Sequence, residues 1–413
     1  MESDNVNSTN DINTKEVKKP SNIGMYVGLG LAGAVAIAVA ATAIVMNLSK
    51  NDSSGSYATV TLDDGTELKS GSVTTTIGGK SVTYTAAYVV DGVEATISSG
   101  TYESAADDEN VFLVINGGSL KIDGDVTINK TGSEDFAGRG DNYSFYGLNS
   151  AIVVVGEGSS ASLEGVTIET DVSGANAIVA TNGGEVVIRG SSIATSKDNS
   201  RGLHATYGGV INADNVTIAT KGGSCAALAT DRGTGTVVAD NMKLSTEGAG
   251  SPLIYSTGEI TVTNSTGTAT GAQIAVVEGK NSINLQGCDF SANGIGNRGN
   301  VDNAGVMIYQ SMSGDADEGE GEFTATDCTL TVLESSSVYN ETPFFFVTNT
   351  TASIDLTGST ISFSPSAKLV SALGTDEWGR AGSNGGDVDL DMSGVQATNT
   401  EVEVDSISQV EME

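Results

Sequence analysis

From residue 165 onward the chain repeats one short step: a small residue, then an alternating run whose third position is apolar. The small residues are Gly165, Gly190, Asn215, Asn241, Ser265, Gly287, Asp327, Gly358 and Gly394, with Asp125 fitting upstream. The spacings from Gly165 to Gly287 are 25, 25, 26, 24 and 22, and they lengthen afterwards to 40, 31 and 36. The third residue after each small one is Ile168, Ile193, Ile218, Leu244, Thr268, Phe290, Leu330, Ile361 and Ala397. The residue before it is mostly polar, as at Thr167, Ser192, Thr217 and Lys243. Alternation with period two predicts strands with one buried face. A helix would need apolar residues at i, i+3, i+4 and i+7, and the glycine-rich gaps between the steps forbid that.

A five-residue strand cannot bury its face alone. A period near 25 holds two or three strands and their turns, so coiling each repeat onto the last pairs every strand in parallel with its counterpart. Equivalent residues then stack along the axis. The spacing predicts a threonine ladder, Thr170, Thr195, Thr220, Thr246 and Thr270, with hydroxyls bonding along the stack or to water. It also makes Cys288 and Cys328 inward-facing neighbours on consecutive turns, read as stacked small hydrophobes or a disulfide, with Cys225 lining the core alone. The longer spacings predict extruded loops at 131–150, 291–304 and 312–322. Residues 57–110 read as an N-terminal β cap and 111–413 as the coil itself. The final "EVEVDSISQVEME" still alternates and shows no cap, which is the pattern expected of a truncated rod.

One segment departs from this pattern. Met25–Leu48 is almost wholly apolar, long enough as a helix to cross a bilayer, and preceded by Lys15, Lys18 and Lys19. The expectation is one transmembrane anchor helix at 25–48, with 1–24 cytoplasmic, 49–56 a linker, and everything beyond it outside the cell. The small-x-small run Ala41-Thr42-Ala43 allows a cleaved signal instead, but the apolar run is longer than such signals carry. Gly28, Gly30 and Gly33 spell a dinucleotide fingerprint, yet no strand precedes them, and they read as small residues on a membrane helix.

The stretch "RGLHATYGGVINADNVTIATKGGSCAALATDRGTGTVVADN" and its continuation "GSPLIYSTGEITVTNSTGTATGAQIAVVEGKNSINLQGCDF" resemble right-handed parallel β-helix proteins of pectate-lyase-like shape. More closely, they are similar to adhesin-like surface proteins of anaerobic gut bacteria. The resemblance covers about residues 95–413. It implies an all-β, right-handed parallel β-helix behind the anchor and no settled activity; the repeat counted above gives that coil about nine or ten rungs.

Charge and rare residues narrow the chemistry. The chain carries 19 Lys plus Arg against 52 Asp plus Glu, a net charge of −33, which repels nucleic acid and anionic headgroups. Three cysteines offer no Cys-x-x-Cys pair, and His204 is the single histidine, read as structural. The paired aspartates, Gly-His-Gly and Arg-x-Lys of polygalacturonase-like enzymes are absent; Asp-Asp pairs occur only at 63–64 and 107–108. Asp315, Asp317, Glu318, Glu320 and Glu322 alternate with glycine and have oxygen ligands for Ca²⁺, but they match no calcium repeat and read as a solvated loop. Asp231–Arg232 reads as a turn ion pair. Tyr143, Phe145 and Tyr146 suit sugar stacking and packing over the coil equally. The sequence thus predicts no catalytic, cofactor or metal residue. It predicts a surface-anchored, non-enzymatic protein of adhesion, binding polysaccharide or a host surface protein. The alternative is a polysaccharide lyase or glycoside hydrolase, which three or more acids converging with a Lys or Arg in one groove would favour.

Overall fold

A computed structural model of the chain describes residues 56–62, 65–133, 141–311, 313–378 and 384–413. The expected anchor at Met25–Leu48 and the Asp63–Asp64 pair lie outside the described residues, among which no helix is long and apolar enough to cross a membrane.

The repeat is one coil of a parallel β solenoid. A representative coil holds Ile178–Thr181, Glu185–Arg189 and Ser192–Thr195; the next holds Leu203–Thr206, Gly209–Asp214 and Thr217–Thr220. Ile178 pairs with Leu203, Glu185 with Val210 and Ser192 with Thr217, all parallel and without slip. Three ladders therefore run along the stack. The second and third merge at the N-terminal end, where the long strand Ser119–Lys130 pairs with both Ser160–Glu164 and Thr167–Thr170.

Parallel stacking starts earlier than the sequence suggests. Within the stretch read as a cap, Ser56–Thr61 and Glu67–Ile77 form an antiparallel hairpin that continues into Lys80–Asp91. Lys80–Asp91 and Glu94–Ser104, however, pair in parallel with Asn110–Ile115 and Ser119–Lys130 and so form the first coil. The fourteen-stranded sheet contains this hairpin and then twelve strands in parallel, down to Val402–Val404. The described residues thus hold twelve coils rather than nine or ten. The two extra coils are the first, whose long strand Glu94–Ser104 lacks the tight corner that marks the repeat, and the last, which holds only Val402–Val404 and Gln409–Met412.

That corner explains the small residues. Gly165, Gly190, Asn215, Asn241, Asn264, Gly287, Asp327, Gly358 and Gly394 all have φ between 49° and 71°. Only Gly, Asn and Asp enter this left-handed region at low cost, so the fold selects them once per coil. In the fifth of these coils the corner is Asn264, one residue before the Ser265 that the spacing suggests. A Cβ at Gly190 would meet nothing within 4 Å, so a substitution there tests backbone strain alone. Gly190→Asn is expected to fold with unchanged stability, and Gly190→Val to lose about 1–2 kcal/mol in urea unfolding.

Alternate residues point inward and form one continuous core, from Leu62 to Leu390. The threonine ladder is present at Thr170, Thr195, Thr220 and Thr246, but the next register partner is Ala269, and Thr270 is exposed. The buried hydroxyls do not bond along the stack. Thr195, Thr220 and Thr246 each donate to the carbonyl five residues on, those of Ser200, Cys225 and Ser251, at 2.5–2.6 Å. Each closes the corner of its own coil. The three cysteines are free and buried. Cys225 is not alone: its thiol accepts the Ser200 N–H at 3.0 Å, and its own N–H donates to Ser251 Oγ at 2.9 Å. It takes the place of serine in a hydrogen-bonded file.

Candidate functional site: a polar file under the cover of the first ladder

Strands of the first ladder are buried on both faces, as the unbroken burial of Ile178–Thr181, Leu203–Thr206, Ala275–Glu278 and Val306–Tyr309 shows. The outer face is covered by loops. Near the N-terminal end the five-residue helix Asn142–Tyr146 lies over Val153, Val155 and Val179. Farther along, Ala304 and the half-buried Leu373 and Trp378 cover Val276, Met307, Tyr309 and Phe346. Between these two apolar patches the outer face turns polar.

The fourth outward position of the ladder reads Thr206, Asp231, Thr257, Glu278 and Tyr309 on five successive coils, following the registers Ala205 with Thr230, Ile254 with Ala275 and Glu278 with Tyr309. Asp231 and Glu278 are two coil steps apart, about 9.6 Å at 4.8 Å per step. Thr257 stands between them, its buried hydroxyl without a partner among the described residues. Tyr255 occupies the neighbouring outward file.

Each charged group has an identifiable environment. Asp231 is buried, 3.5 Å from the Arg201 guanidinium, and its Oδ1 accepts the Arg232 N–H at 2.8 Å. Burial raises its pKa to about 6; Arg201 and the backbone donor oppose the rise, and Asp315 and Glu278 add to it. Glu278 is buried among hydroxyls: Tyr255 and Ser311 donate to its two oxygens, and Tyr309 donates at 3.1 Å. Burial raises both tyrosines well above their ordinary range, so they stay neutral donors. Arg232 pairs with Asp315, its Nε donating at 2.8 Å, while its guanidinium lies 4.0 Å over the Phe145 ring. Arg201 also donates to Ser144 Oγ at 2.6 Å. A cavity of about 130 Å³ opens beside this group, lined by Arg201, Tyr255, Pro252 and Asn300 among others. Three acids and two arginines thus converge between the loops, and one acid, Asp231, has its pKa raised to about 6.

No protein-family model matches the chain, and no curated protein matches it. Among solved structures, an alginate lyase from Paenibacillus sp. str. FPU-7 is similar over 62% of this chain and 91% of that one, at 10% identity and a TM-score of 0.23. That likeness is too distant to inform fold or chemistry.

Several residues singled out in the sequence meet here in unexpected ways. Asp231 and Arg232 are not partners through their side chains: each pairs with a residue of another segment, Arg201 and Asp315. Tyr143, Phe145 and Tyr146 are buried and pack over the coil rather than facing a ligand. The carbonyls of Phe145 and Tyr146 accept from Thr206 and Tyr84. His204 is buried under the same helix, with Nε2 2.7 Å from the Ser144 carbonyl and therefore protonated. Burial, with Arg201 adding, lowers its pKa well below the usual histidine range, so the ring is neutral. Of the acidic loop, Asp315 joins the site. Glu320 and Glu322 line a separate groove of about 350 Å³ with Lys280 and Glu259. Among the described residues no three His, Cys, Asp or Glu side chains are grouped to hold a metal. Asp107 serves as a loop acceptor for the Ser133 N–H at 2.8 Å.

Arg201, Tyr255, Thr257, Glu278 and Tyr309 carry no local motif. The available signal was the strand "AVVE", where a carboxylate ends an apolar run whose other residues are all buried.

Proposed function

We propose that this chain acts on polysaccharide at the polar file of its first ladder, as a glycoside hydrolase of the β-solenoid type. The observation that carries the reading is the pairing of Asp231, with a pKa raised to about 6, and Glu278 two coil steps along the same file. A carboxylic acid that keeps its proton up to about pH 6 suits protonation of a glycosidic oxygen in mildly acidic solution. A second carboxylate about 9.6 Å away by strand spacing lies just beyond the roughly 6.5–9.5 Å range that leaves room for an attacking water. Tyr255 and the two arginines would orient hydroxyls of the sugar. The coil is taken as right-handed, the hand that twisted parallel strands favour in their crossovers. Met25–Leu48 would anchor it with the coil outside the cell.

The test is depolymerisation of a polysaccharide panel by the full chain. New reducing ends, absent with Glu278→Gln, support the reading. Unsaturated products would replace hydrolysis with elimination.

A second reading, adhesion without catalysis, is favoured by one feature. Glu278 already accepts from three hydroxyls and Asp315 already pairs with Arg232, as in a network that pins loops. Saturable glycan binding with no product from any polysaccharide would establish it.

A further inference from the structure

The corner after the left-handed residue is built to aim a side chain at the preceding coil. Ser191 Oγ accepts the Val166 N–H at 3.0 Å, Ser265 Oγ accepts the Met242 N–H at 2.9 Å, and Ser359 Oγ accepts the Cys328 N–H at 3.0 Å. Cys288 and Cys328 occupy this position on consecutive coils, and the residues after them, Asp289 and Thr329, are register partners. The Cys288 N–H points at Cys328 Sγ at 3.4 Å, and the two thiols interact directly. In-register parallel neighbours have Cα atoms about 4.8 Å apart, within the roughly 4.4–6.8 Å that a disulfide spans. Two of the three cysteines in 413 residues meet on consecutive coils of a ladder whose side chains reach the preceding coil.

We propose that Cys288 and Cys328 form an inter-coil disulfide when the chain meets an oxidising thiol–disulfide couple. The oxidant is a small-molecule disulfide. One protein thiolate attacks it and releases a small thiol; the second attacks the mixed disulfide and releases the other. Both protein sulfurs are oxidised, the small disulfide is reduced, and the two thiol protons end on the released thiols. The bond closes the 40-residue excursion that carries Asn300, Ser311 and Asp315 to the cleft. It therefore fixes the base of the cleft wall. Cys225, between Ser200 and Ser251, remains a thiol.

The full chain is refolded with oxidised glutathione, unfolded under acid, alkylated and mapped by peptide mass. The expected result is one alkylated cysteine, Cys225, a cross-linked peptide pair carrying residues 288 and 328, and a Tm about 5 °C above that of the reduced chain. Cys288→Ser with Cys328→Ser uses the residue that this ladder already carries at 191, 265 and 359. That variant should show the same Tm in both buffers. Three alkylated cysteines after oxidation, or glutathione left on either thiol, would overturn the proposal, as would a Tm shift that persists in the double variant.

Discussion

Asp231→Asn is expected to abolish glycan cleavage and, above pH 6, to make the protein more stable. Both effects come from the same burial. A carboxyl raised from about 4 to about 6 holds its proton longer in the folded chain than in the unfolded one. The stability tied to it is complete below the unfolded pKa and falls as pH rises through about 6, by about 3 kcal/mol in all. The amide cannot ionise, so that loss disappears. Self-repulsion from a net charge of −33 also lowers stability as pH rises, but it does so in both proteins. The difference between their Tm curves from pH 4 to pH 8 therefore isolates Asp231. The variant should gain on the wild type between about pH 4 and about pH 6 and keep that gain at higher pH. Cleavage by the wild type should fall as pH rises through about 6, because the proton donor is lost. Parallel Tm curves would mean that Asp231 is ionised throughout, and its role as proton donor would fail with them.

Phe345→Ala is expected to be the most damaging single core change in the C-terminal coils. The ring is fully buried, 5.6 Å from Phe323 and 5.0 Å from Phe344 by centroid, both edge-on. Phe344 in turn meets Phe363 at 5.9 Å, so the ring belongs to a chain of four aromatic side chains. Removing it should cost about 3–5 kcal/mol, because rings held by neighbouring coils cannot collapse into the gap. Stability in a solenoid is approximately a sum over coils and their interfaces. The loss should therefore be local. Hydrogen exchange should quicken in Val306–Tyr309, Phe345–Thr348 and Val370–Ala372 while Leu203–Thr206 and Ile178–Thr181 stay protected. Uniform acceleration along the chain would show that the coils unfold as one unit.

The coil was legible in the sequence because its strongest constraint is local. One residue per turn must be left-handed, and Gly, Asn and Asp recur where φ is positive. Inward positions followed from period two. The first coil was not legible, since Glu94–Ser104 runs through without that corner. The threonine ladder was placed correctly as far as Thr246, but its bonding was not: a hydroxyl facing both the next coil and its own corner carbonyl gives no sequence sign of its choice. The cleft was hidden for a different reason. Asp231, Thr257, Glu278 and Tyr309 align only after strands of unequal spacing are stacked. Arg201 and Asp315 reach the cleft from segments more than a hundred residues apart. Tyr143, Phe145 and Tyr146 looked equally suited to sugar and to packing because an aromatic ring on a loop carries no mark of which surface it will cover.

The most direct test of the central claim is the anomeric configuration of the first product, followed by NMR, when the full chain acts on a polysaccharide that the panel identifies. Asp231 and Glu278, separated by two coils with Thr257 between them, predict inversion, with water delivered from the side of Glu278. Retention would require a carboxylate close enough to attack the sugar itself, and it would contradict the assignment of this file as the catalytic pair.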